Sequence, residues 1–252
     1  MVFLAPYKTA YPTARRLKED LESCKIIKTN NSRFNWNRTG LVINWGRSDL
    51  PTITNRTIIN KPQCITKAAD KINFLSLMED NNIQAPRLLT HEECMHALRE
   101  GNKILIREPR GFGGKGIDVI RSPDAFNGIP RGKFAVKFYP KRHEYRAHVW
   151  RGEVIALTQK KARRGTERSN EQRLIWNHAN GWVHCRENVE EPEGIRGLAS
   201  QSVNLCGLDF GAVDLMLNRD DTLRVLEVNT APGVDGQVKD AYIEVIREEY
   251  NV

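Results

Sequence analysis

Two apolar runs within residues 208–233 carry three oxygen-bearing side chains that could bind a metal ion. The turn Arg219-Asp220-Asp221-Thr222 separates the runs, which is typical of a β-hairpin. A symmetric four-residue turn places Asp214 directly opposite Glu227, and Asn229 shares the face of Glu227 because side chains alternate along a strand. Two carboxylates among Val, Leu and Met are costly without a counter-charge, and Mg²⁺ prefers carboxylate oxygens. The hairpin therefore predicts a magnesium site.

A glycine-rich turn between two predicted strands forms a second candidate site. Its four glycines let the backbone approach a phosphate closely, and two basic side chains add charge: Gly111, Gly113, Gly114 and Gly116, with Lys115 and Arg107. The turn is no P-loop, because Lys115 precedes Gly116 instead of Ser or Thr. Its spacing matches a dinucleotide-binding turn, but residues 117–120 predict a strand where that turn needs a helix. A loop that closes over nucleotide phosphates fits better than a plain hairpin turn, which is the structural alternative.

A protein kinase is an alternative that the motifs must be weighed against. The sequence contains the glycine turn, then Ala135-Val136-Lys137, then Asp209-Phe210-Gly211. It lacks an H-R-D-x-x-x-x-N catalytic loop and an A-P-E motif, and the D-F-G triplet lies inside an apolar run. The pattern therefore argues against a protein kinase.

Residues 141–173 form a strongly basic stretch of the chain. This stretch contains ten Lys or Arg and four Glu, a net charge of +6 out of +8 for the whole chain. One interpretation is a solvated loop with no binding role. The sharper one is a site for a polyanion, which could be a triphosphate, an acidic substrate or a nucleic acid.

The composition is that of a globular protein, with 40% hydrophobic and 28% charged residues among 252. No apolar run approaches the roughly 18 residues that a membrane span needs, and no basic segment precedes the short apolar start. We therefore expect neither a membrane segment nor a signal peptide. The five cysteines are scattered and never form a C-x-x-C pair, which favours a reducing compartment and a cytoplasmic location.

Hydrophobic periodicity predicts an α/β protein whose first 60 residues form a small separate unit. Strands are expected at 2–4, 25–28 and 41–45 and a helix near 13–21, with residues 55–61 as a connector. A second helix is expected over 67–81 with Thr66 as its N-cap. The polar residues 160–180 show no clear period and predict a mobile loop.

These residues together resemble the ATP-grasp superfamily, and in particular its RimK-like branch of bacterial enzymes that add glutamate to a ribosomal protein. The run from Leu226 to Gly233, Leu-Glu-Val-Asn-Thr-Ala-Pro-Gly, is similar to the metal-binding signature of that branch, with Ala231 where Ser is usual. Ala212-Val213-Asp214 resembles the preceding metal strand. The similarity extends over about residues 66–233, and none of it is specific to a substrate.

The resemblance implies a role for each matching residue. Lys71 is a phosphate contact, Arg107 replaces a usual Lys, and Glu144 binds the ribose hydroxyls. The implied ATP-binding residues also include the glycine turn, the adenine hinge and one further lysine: Gly111, Gly113, Gly114, Lys115, Gly116, Lys137, Phe138, Tyr139 and Lys160. Arg146, Arg168 and Asn170 are implied catalytic residues, of which Arg146 contacts the phosphoryl group. Asp214, Glu227 and Asn229 hold the metal.

The fold and reaction that follow are those of an ATP-grasp ligase. The resemblance implies an α/β ATP-grasp fold, with residues 1–60 as an N-terminal α/β domain and 61–252 as the ATP-grasp domain, itself divided into 61–135 and 136–252. ATP and two Mg²⁺ ions would activate a carboxylate as an acyl phosphate, which an amine attacks to give ADP and phosphate. The substrates are a small molecule, a peptide or a protein side chain. A small-molecule kinase and a nucleic-acid-modifying enzyme are the alternatives.

Overall fold

The computed structural model describes residues 1–29, 32–51, 54–111, 113–114, 116–170 and 172–251. Its strands form three sheets, and helices cover their faces. The strands are β1 Val2–Pro6, β2 Cys24–Ile26, β3 Gly40–Trp45, β4 Arg56–Ile59, β5 Leu88–Leu89, β6 Ile104–Arg107, β7 Asp118–Ile120, β8 Phe134–Lys137, β9 Lys141–Trp150, β10 Glu153–Ala162, β11 Trp182–Cys185, β12 Phe210–Asn218 and β13 Leu223–Asn229. The helices are α1 Tyr11–Asp20, α2 Pro62–Ala69, α3 Lys71–Asp80, α4 His91–Arg99, α5 Ile195–Leu205 and α6 Gly236–Tyr250.

The first sheet is parallel and has the strand order β2-β1-β3-β4. The sequence predicts its first three strands and α1, but the interpretation of residues 55–61 as a connector is wrong. Residues 56–59 form β4, which pairs in register with β3 from Gly40↔Arg56 to Ile43↔Ile59. Three of its four residues are the β-branched Thr57, Ile58 and Ile59, which fit a pleated surface.

The second and third sheets are antiparallel and face each other. The second has the order β5-β8-β6-β7 and packs one face against α4, while the third has the order β11-β10-β9-β12-β13. Helices α2, α3 and α5 cover one face of the third sheet with the largest apolar core. The domain boundary that the sequence suggests after residue 135 falls inside β8, and the domain division stays a prediction. No helix in the described part of the chain is long and apolar enough to cross a membrane.

The helix expected over 67–81 is interrupted at Asp70. Helix α2 ends at Ala69, and the extended Asp70 then caps α3 by accepting from the backbone N–H groups of Ile72 and Asn73 at 3.1 and 3.3 Å. Thr66 lies inside α2, so its prediction as an N-cap is wrong. Asp is a better N-cap than Thr, and the break places Lys71 at the first position of α3.

The hairpin of β12 and β13 confirms the predicted pairing of Asp214 with Glu227. The expected symmetric turn is wrong, because the Asn218 N–H donates to the Thr222 carbonyl at 3.0 Å and closes a loop with one residue fewer. A β-bulge compensates by shifting the register between Asp214 and Leu215, so that Leu215 pairs with Val225. Two opposite deviations therefore restore the expected pair.

The polar residues 160–180, predicted as a mobile loop, are partly ordered by their neighbours. Strand β10 continues to Ala162, and the unpredicted β11 pairs with it from Gln159↔Cys185 to Ala162↔Trp182. Between these strands the indole rings of Trp176 and Trp182 stack with centroids 3.9 Å apart. The stack gives the segment apolar contacts that a period analysis does not detect.

A second apolar core joins the first sheet to the third sheet and α6. Trp45 of β3 packs against Phe210 of β12 and Tyr242 of α6, with ring centroids 4.7 and 5.2 Å apart. Trp150 of β9 stacks on Phe210 at 5.2 Å. The same aromatic cluster therefore belongs to segments far apart in the sequence.

Gly46 lies close to the loop that follows β13. Gly46 has φ +90, and a Cβ atom built on it would lie 2.5 Å from the Cβ of Ala231. Gly101 has φ +76 but nothing within 4 Å of its Cβ position, so it is a matched control. We expect Gly46→Ala to lower the free energy of unfolding by about 1–3 kcal/mol more than Gly101→Ala, because only Gly46 adds overlap to backbone strain. Urea denaturation of both variants measures this difference, and equal losses would contradict the contact.

Candidate active site

A cavity of about 610 Å³ lies between the facing sides of the second and third sheets. Most of the residues that the sequence selects line this one cavity, although they come from α3, two loops and both sheets. They are Lys71, Arg107, Gly111, Gly113, Gly114, Lys137, Phe138, Tyr139, Glu144, Arg146, Lys160, Asp214 and Glu227. Residues chosen from separate motifs thus converge in space.

Four selected residues do not line the cavity. Gly116 approaches the carboxyl group of Glu108, Asn170 is exposed, and the Asn229 Oδ1 accepts from the Ala231 N–H at 3.0 Å. The Arg168 guanidinium lies 5.2 Å from the centroid of the Trp182 ring. Lys115 lies outside the described residues. The roles assigned to these five residues stay predictions.

Asp214 is held by Arg146 on the neighbouring strand β9. The Arg146 Nε donates to Asp214 Oδ1 at 2.6 Å and its Nη2 donates to Oδ2 at 2.9 Å, while Asp214 is only 6% exposed. Burial alone would raise the pKa of Asp214, but the guanidinium holds that pKa well below its usual range. The sequence argument that a metal must supply the counter-charge is therefore wrong for Asp214, because Arg146 supplies it.

Glu227 faces two further cations that sequence analysis places among the phosphate contacts. Its Oε2 lies 3.2 Å from Lys71 Nζ and 3.7 Å from an Arg107 Nη2. Lys71 Nζ also donates to the Gly111 carbonyl at 2.5 Å, which connects α3 to the glycine turn. The carboxylate, both cations and the turn therefore meet at one end of the cavity.

The donor set fits Mg²⁺ bound together with a nucleotide. Asp214 and Glu227 face each other across adjacent strands, and the oxygens of Glu227 already attract two cations. Within the described residues, no group of three or more His, Cys, Asp or Glu side chains could hold a metal. Mg²⁺ commonly uses one or two carboxylates and takes its other ligands from phosphate and water. The chemistry of the two acids is consistent with that mode.

Glu144 lies in a buried ion-pair cluster on the same sheet face. It is 4% exposed and accepts from Lys141 Nζ at 2.6 Å and from Lys160 Nζ. Burial opposes its ionisation, yet the two ammonium groups leave the pKa of Glu144 lowered. Lys160 Nζ also donates to the Trp176 carbonyl at 2.8 Å. The cluster therefore ties β9, β10 and the 163–181 segment together.

The hinge segment after β8 forms the apolar end of the cavity. The Phe138 N–H donates to the Lys103 carbonyl at 2.9 Å, and the Arg224 guanidinium lies 4.2 Å from the centroid of the Tyr139 ring. Leu105, Val136, Met216 and Leu226 add apolar surface beside the hinge. A flat heterocycle such as adenine fits this lining.

Two loops meet over the cavity. The Asn177 Nδ2 donates to the Gly113 carbonyl at 2.9 Å, and a Cβ atom built on Gly114 would lie 3.0 Å from Ile175 Cγ2. Gly113 and Gly114 both have positive φ, which glycine adopts without strain. The glycine turn therefore packs directly on the 163–181 segment.

Sequence reasoning missed several polar residues at the inner end of the cavity. His148 is 2% exposed and its Nδ1 lies 3.3 Å from the Tyr242 hydroxyl, and burial together with Arg146 lowers its pKa to about 3. Thr158 Oγ1 lies 3.1 Å from His184 Nδ1. The signal for His148 was its place on β9 two residues after Arg146, since alternate residues share a face.

The basic stretch 141–173 is partly neutralised by acids inside and outside it. Five of its ten cations form salt bridges, with partners on β9, on β12, at the hairpin tip and at the end of α6: Lys141, Arg142, Arg146, Arg151 and Lys160. The net charge of this stretch therefore does not measure a free basic surface.

The D-F-G triplet is structural. Asp209 forms a salt bridge with Arg151 and its Oδ2 accepts from the Asn60 N–H at 2.6 Å, while Phe210 is fully buried in the aromatic cluster. Because Asp209 and Phe210 have these structural contacts, the triplet does not support a protein kinase.

Comparison with known proteins shows which proteins this chain resembles. Residues 137–249 match the RimK-like ATP-grasp domain. A probable alpha-L-glutamate ligase of Maridesulfovibrio salexigens is 26% identical over 201 residues, which cover 74% of this chain and 64% of that protein. The chain thus spans less than two thirds of this relative. Residues 137–249 are therefore similar to RimK-like ATP-grasp domains, and the chain as a whole resembles alpha-L-glutamate ligases.

Solved structures confirm the fold. The ATP-grasp ligase PsnB complexed with minimal precursor superimposes with a TM-score of 0.70 over 98% of both chains at 12% identity. D-alanyl-alanine synthetase A from Vibrio cholerae gives a TM-score of 0.70 over 97% of this chain and 96% of its own, at 13% identity. The predicted α/β ATP-grasp fold is therefore confirmed.

Proposed function

We propose that this protein is an ATP- and Mg²⁺-dependent ligase that joins a carboxylate to an amine through an acyl phosphate, with ADP and phosphate as products. The observation that carries the proposal is the opposition of Asp214 and Glu227 at the end of the cavity where Lys71, Arg107 and the glycine turn meet. Such a cluster suits the terminal phosphates of ATP, and the apolar hinge at the other end suits the base. Relatives named as ligases support the same reaction class.

Each group of side chains around the cavity would have its own role in the reaction. Lys71 and Arg107 would pair with the terminal phosphates, and the backbone of the glycine turn would approach them from above. Asp214, Glu227 and Asn229 would hold the two Mg²⁺ ions, whose charge would offset that of these phosphates. The packed loops at Asn177 and Gly113 exclude water, which protects an acyl phosphate from hydrolysis. Arg146 lies beside Asp214, where it can stabilise the oxyanion formed when the amine attacks.

The substrates are proposed at the level of chemical class. One is a carboxylate, and the other is an amine on a small molecule, a peptide or a protein side chain. The relative from Maridesulfovibrio salexigens is named for an alpha-L-glutamate reaction, so glutamate is the first amine to test. No comparison supports a nucleic-acid partner. A cytoplasmic location stays a prediction.

The nucleotide products test the proposed reaction. We expect ADP and phosphate without AMP, because the charged side chains cluster at the phosphate end and not around the α-phosphate. Hydroxylamine should intercept the acyl phosphate and give a hydroxamate from the correct carboxylate, even without the natural amine. Chromatography of nucleotides and mass spectrometry of hydroxamates measure both, with reactions lacking a carboxylate as controls. AMP and pyrophosphate would refute the proposal, and ADP with a phosphorylated hydroxyl would favour a kinase.

A further inference from the structure

The N-terminal region carries most of the net charge of the chain. Residues 1–61 contain eleven Lys or Arg and only four Asp or Glu, a net charge of +7 out of +8 for all 252 residues. This excess lies outside the cavity described above. It needs an explanation of its own, because a like-charged domain repels itself unless an anion sits against it.

The cations of this region occur at equivalent positions around the first sheet. The second residue after every strand is basic: Lys8 after β1, Lys28 after β2, Arg47 after β3 and Lys61 after β4. All four strands are parallel, so their carboxyl ends lie at one edge of the sheet. We call these four residues and the edge they occupy the basic edge.

Three of the four cations are free to meet a ligand. Lys8, Lys28 and Lys61 are exposed, and no carboxylate of the described residues forms a salt bridge with them. Arg47 is 7% exposed and donates from Nε and Nη2 to Asp49 at 2.9 and 2.8 Å. The basic edge therefore differs from the 141–173 stretch, where half of the cations are already paired.

The size of the basic edge suits a short extended chain. Neighbouring strands lie about 4.8 Å apart, so four strands place their cations across roughly 14 Å. An extended polypeptide advances about 3.3 Å per residue, so four or five residues span this distance. Carboxylates on such a segment can reach several cations at once, which a single small anion cannot do.

The basic edge adjoins the mouth of the cavity. The Trp45 Nε1 donates to the Pro232 carbonyl at 2.9 Å, and Gly46 contacts Ala231 in the loop after β13. Gly233, the next residue of that loop, lines the cavity. Ligands of open parallel sheets bind outside the carboxyl ends of the strands, at the point where the strand order reverses. Here that point lies between β1 and β3, beside this loop.

We propose that the basic edge binds an acidic stretch of polypeptide and directs its carboxylate into the cavity. The binding rests on the geometry of the first sheet alone, and its role in presenting a substrate rests on the proposed ligase function. A nucleic acid is the less suitable polyanion, because strand-binding proteins combine cations with a row of aromatic side chains. Among the described residues, the large apolar side chains that are exposed are Met1 and Tyr7.

Binding of a fluorescein-labelled hexaglutamate peptide, followed by anisotropy on the full chain with ADP and Mg²⁺, tests the proposal. The test variant replaces Lys8, Lys28 and Lys61 with Gln. A matched control replaces Lys18, Lys25 and Arg38 with Gln, which removes the same charge from exposed positions of the same region outside the basic edge. We expect the test variant to bind about tenfold more weakly, at roughly twofold per cation, and the control to change by less than about twofold.

A calorimetric titration and three single variants accompany the peptide titration. Calorimetric titration of ADP with Mg²⁺ should be unchanged in both variants, since neither alters a cavity residue. The single variants Lys8→Gln, Lys28→Gln and Lys61→Gln should each weaken peptide binding about twofold, which covers a triple variant that fails to fold. Equal losses in the test and control variants would overturn the proposal, as would an oligonucleotide that binds the edge more tightly than hexaglutamate. If the peptide binds at the basic edge but is not ligated, the proposed binding surface is supported and only the proposed reaction is contradicted.

Discussion

Glu227→Gln should lower turnover at least about 100-fold while the protein still folds. Changes to groups that merely orient a metal ligand cost about 10–100-fold, so loss of a ligand charge should cost no less. The substitution keeps the shape of the side chain but removes the charge that Mg²⁺ and the two cations share. ADP release with the best carboxylate and amine pair measures the effect.

The stability of Glu227→Gln separates a functional loss from a folding defect. Lys71 and Arg107 would lose their carboxylate while remaining only 13% and 14% exposed in their side chains. We expect the free energy of unfolding to fall by about 1 kcal/mol, too little to unfold the protein. Asp221→Asn at the tip of the same hairpin is the control and should retain full activity. A wild-type rate for Glu227→Gln would remove this residue from the metal site.

Arg146→Met should destabilise the protein by about 3–5 kcal/mol, because it leaves the buried Asp214 without a partner. The double variant Arg146→Met/Asp214→Leu should recover most of that stability, since apolar replacement of both partners is often neutral. Both variants should be inactive. Urea denaturation measures the stabilities, and a double variant no more stable than Arg146→Met would contradict this account of the pair.

The Arg146–Asp214 pair also makes the free energy of unfolding depend on pH in the acid range. The pKa of Asp214 lies below its usual value near 3.8 in the folded protein, so the unfolded chain takes up the proton first as the pH falls. The contribution of the pair is therefore fully present above about pH 5 and is lost progressively below pH 4. The wild type should lose stability over this range more steeply than the double variant, which lacks the carboxyl group.

The hairpin shows how a pattern can predict a site through a partly wrong structure. The sequence placed Asp214 opposite Glu227 by assuming a symmetric four-residue turn, and alternation placed Asn229 on the face of Glu227. The shorter loop and the bulge could not be predicted from the sequence pattern, because both depend on which carbonyl the Asn218 N–H reaches. The two errors cancelled because each shifts the register by one residue in opposite directions.

Charge partners were the main feature that the sequence could not predict. Arg146 meets Asp214 across 68 residues, so a count within 141–173 could not include the acid that pairs with this cation. The regular cations of the basic edge were missed for the opposite reason. They are scattered along residues 1–61, and they become neighbours only when four strands align. In both cases the sheet topology decides what the charge does.

The aromatic cluster that joins the first sheet to α6 has a consequence for synthesis. Trp45 contacts Tyr242, which follows it by almost 200 residues, so the part of the first sheet around Trp45 is completed only when α6 has been made. At about 5–20 residues per second, a ribosome needs roughly 10–40 s to cover that distance. During this time Trp45 lacks Phe210 and Tyr242, and the nascent chain offers this apolar surface to chaperones.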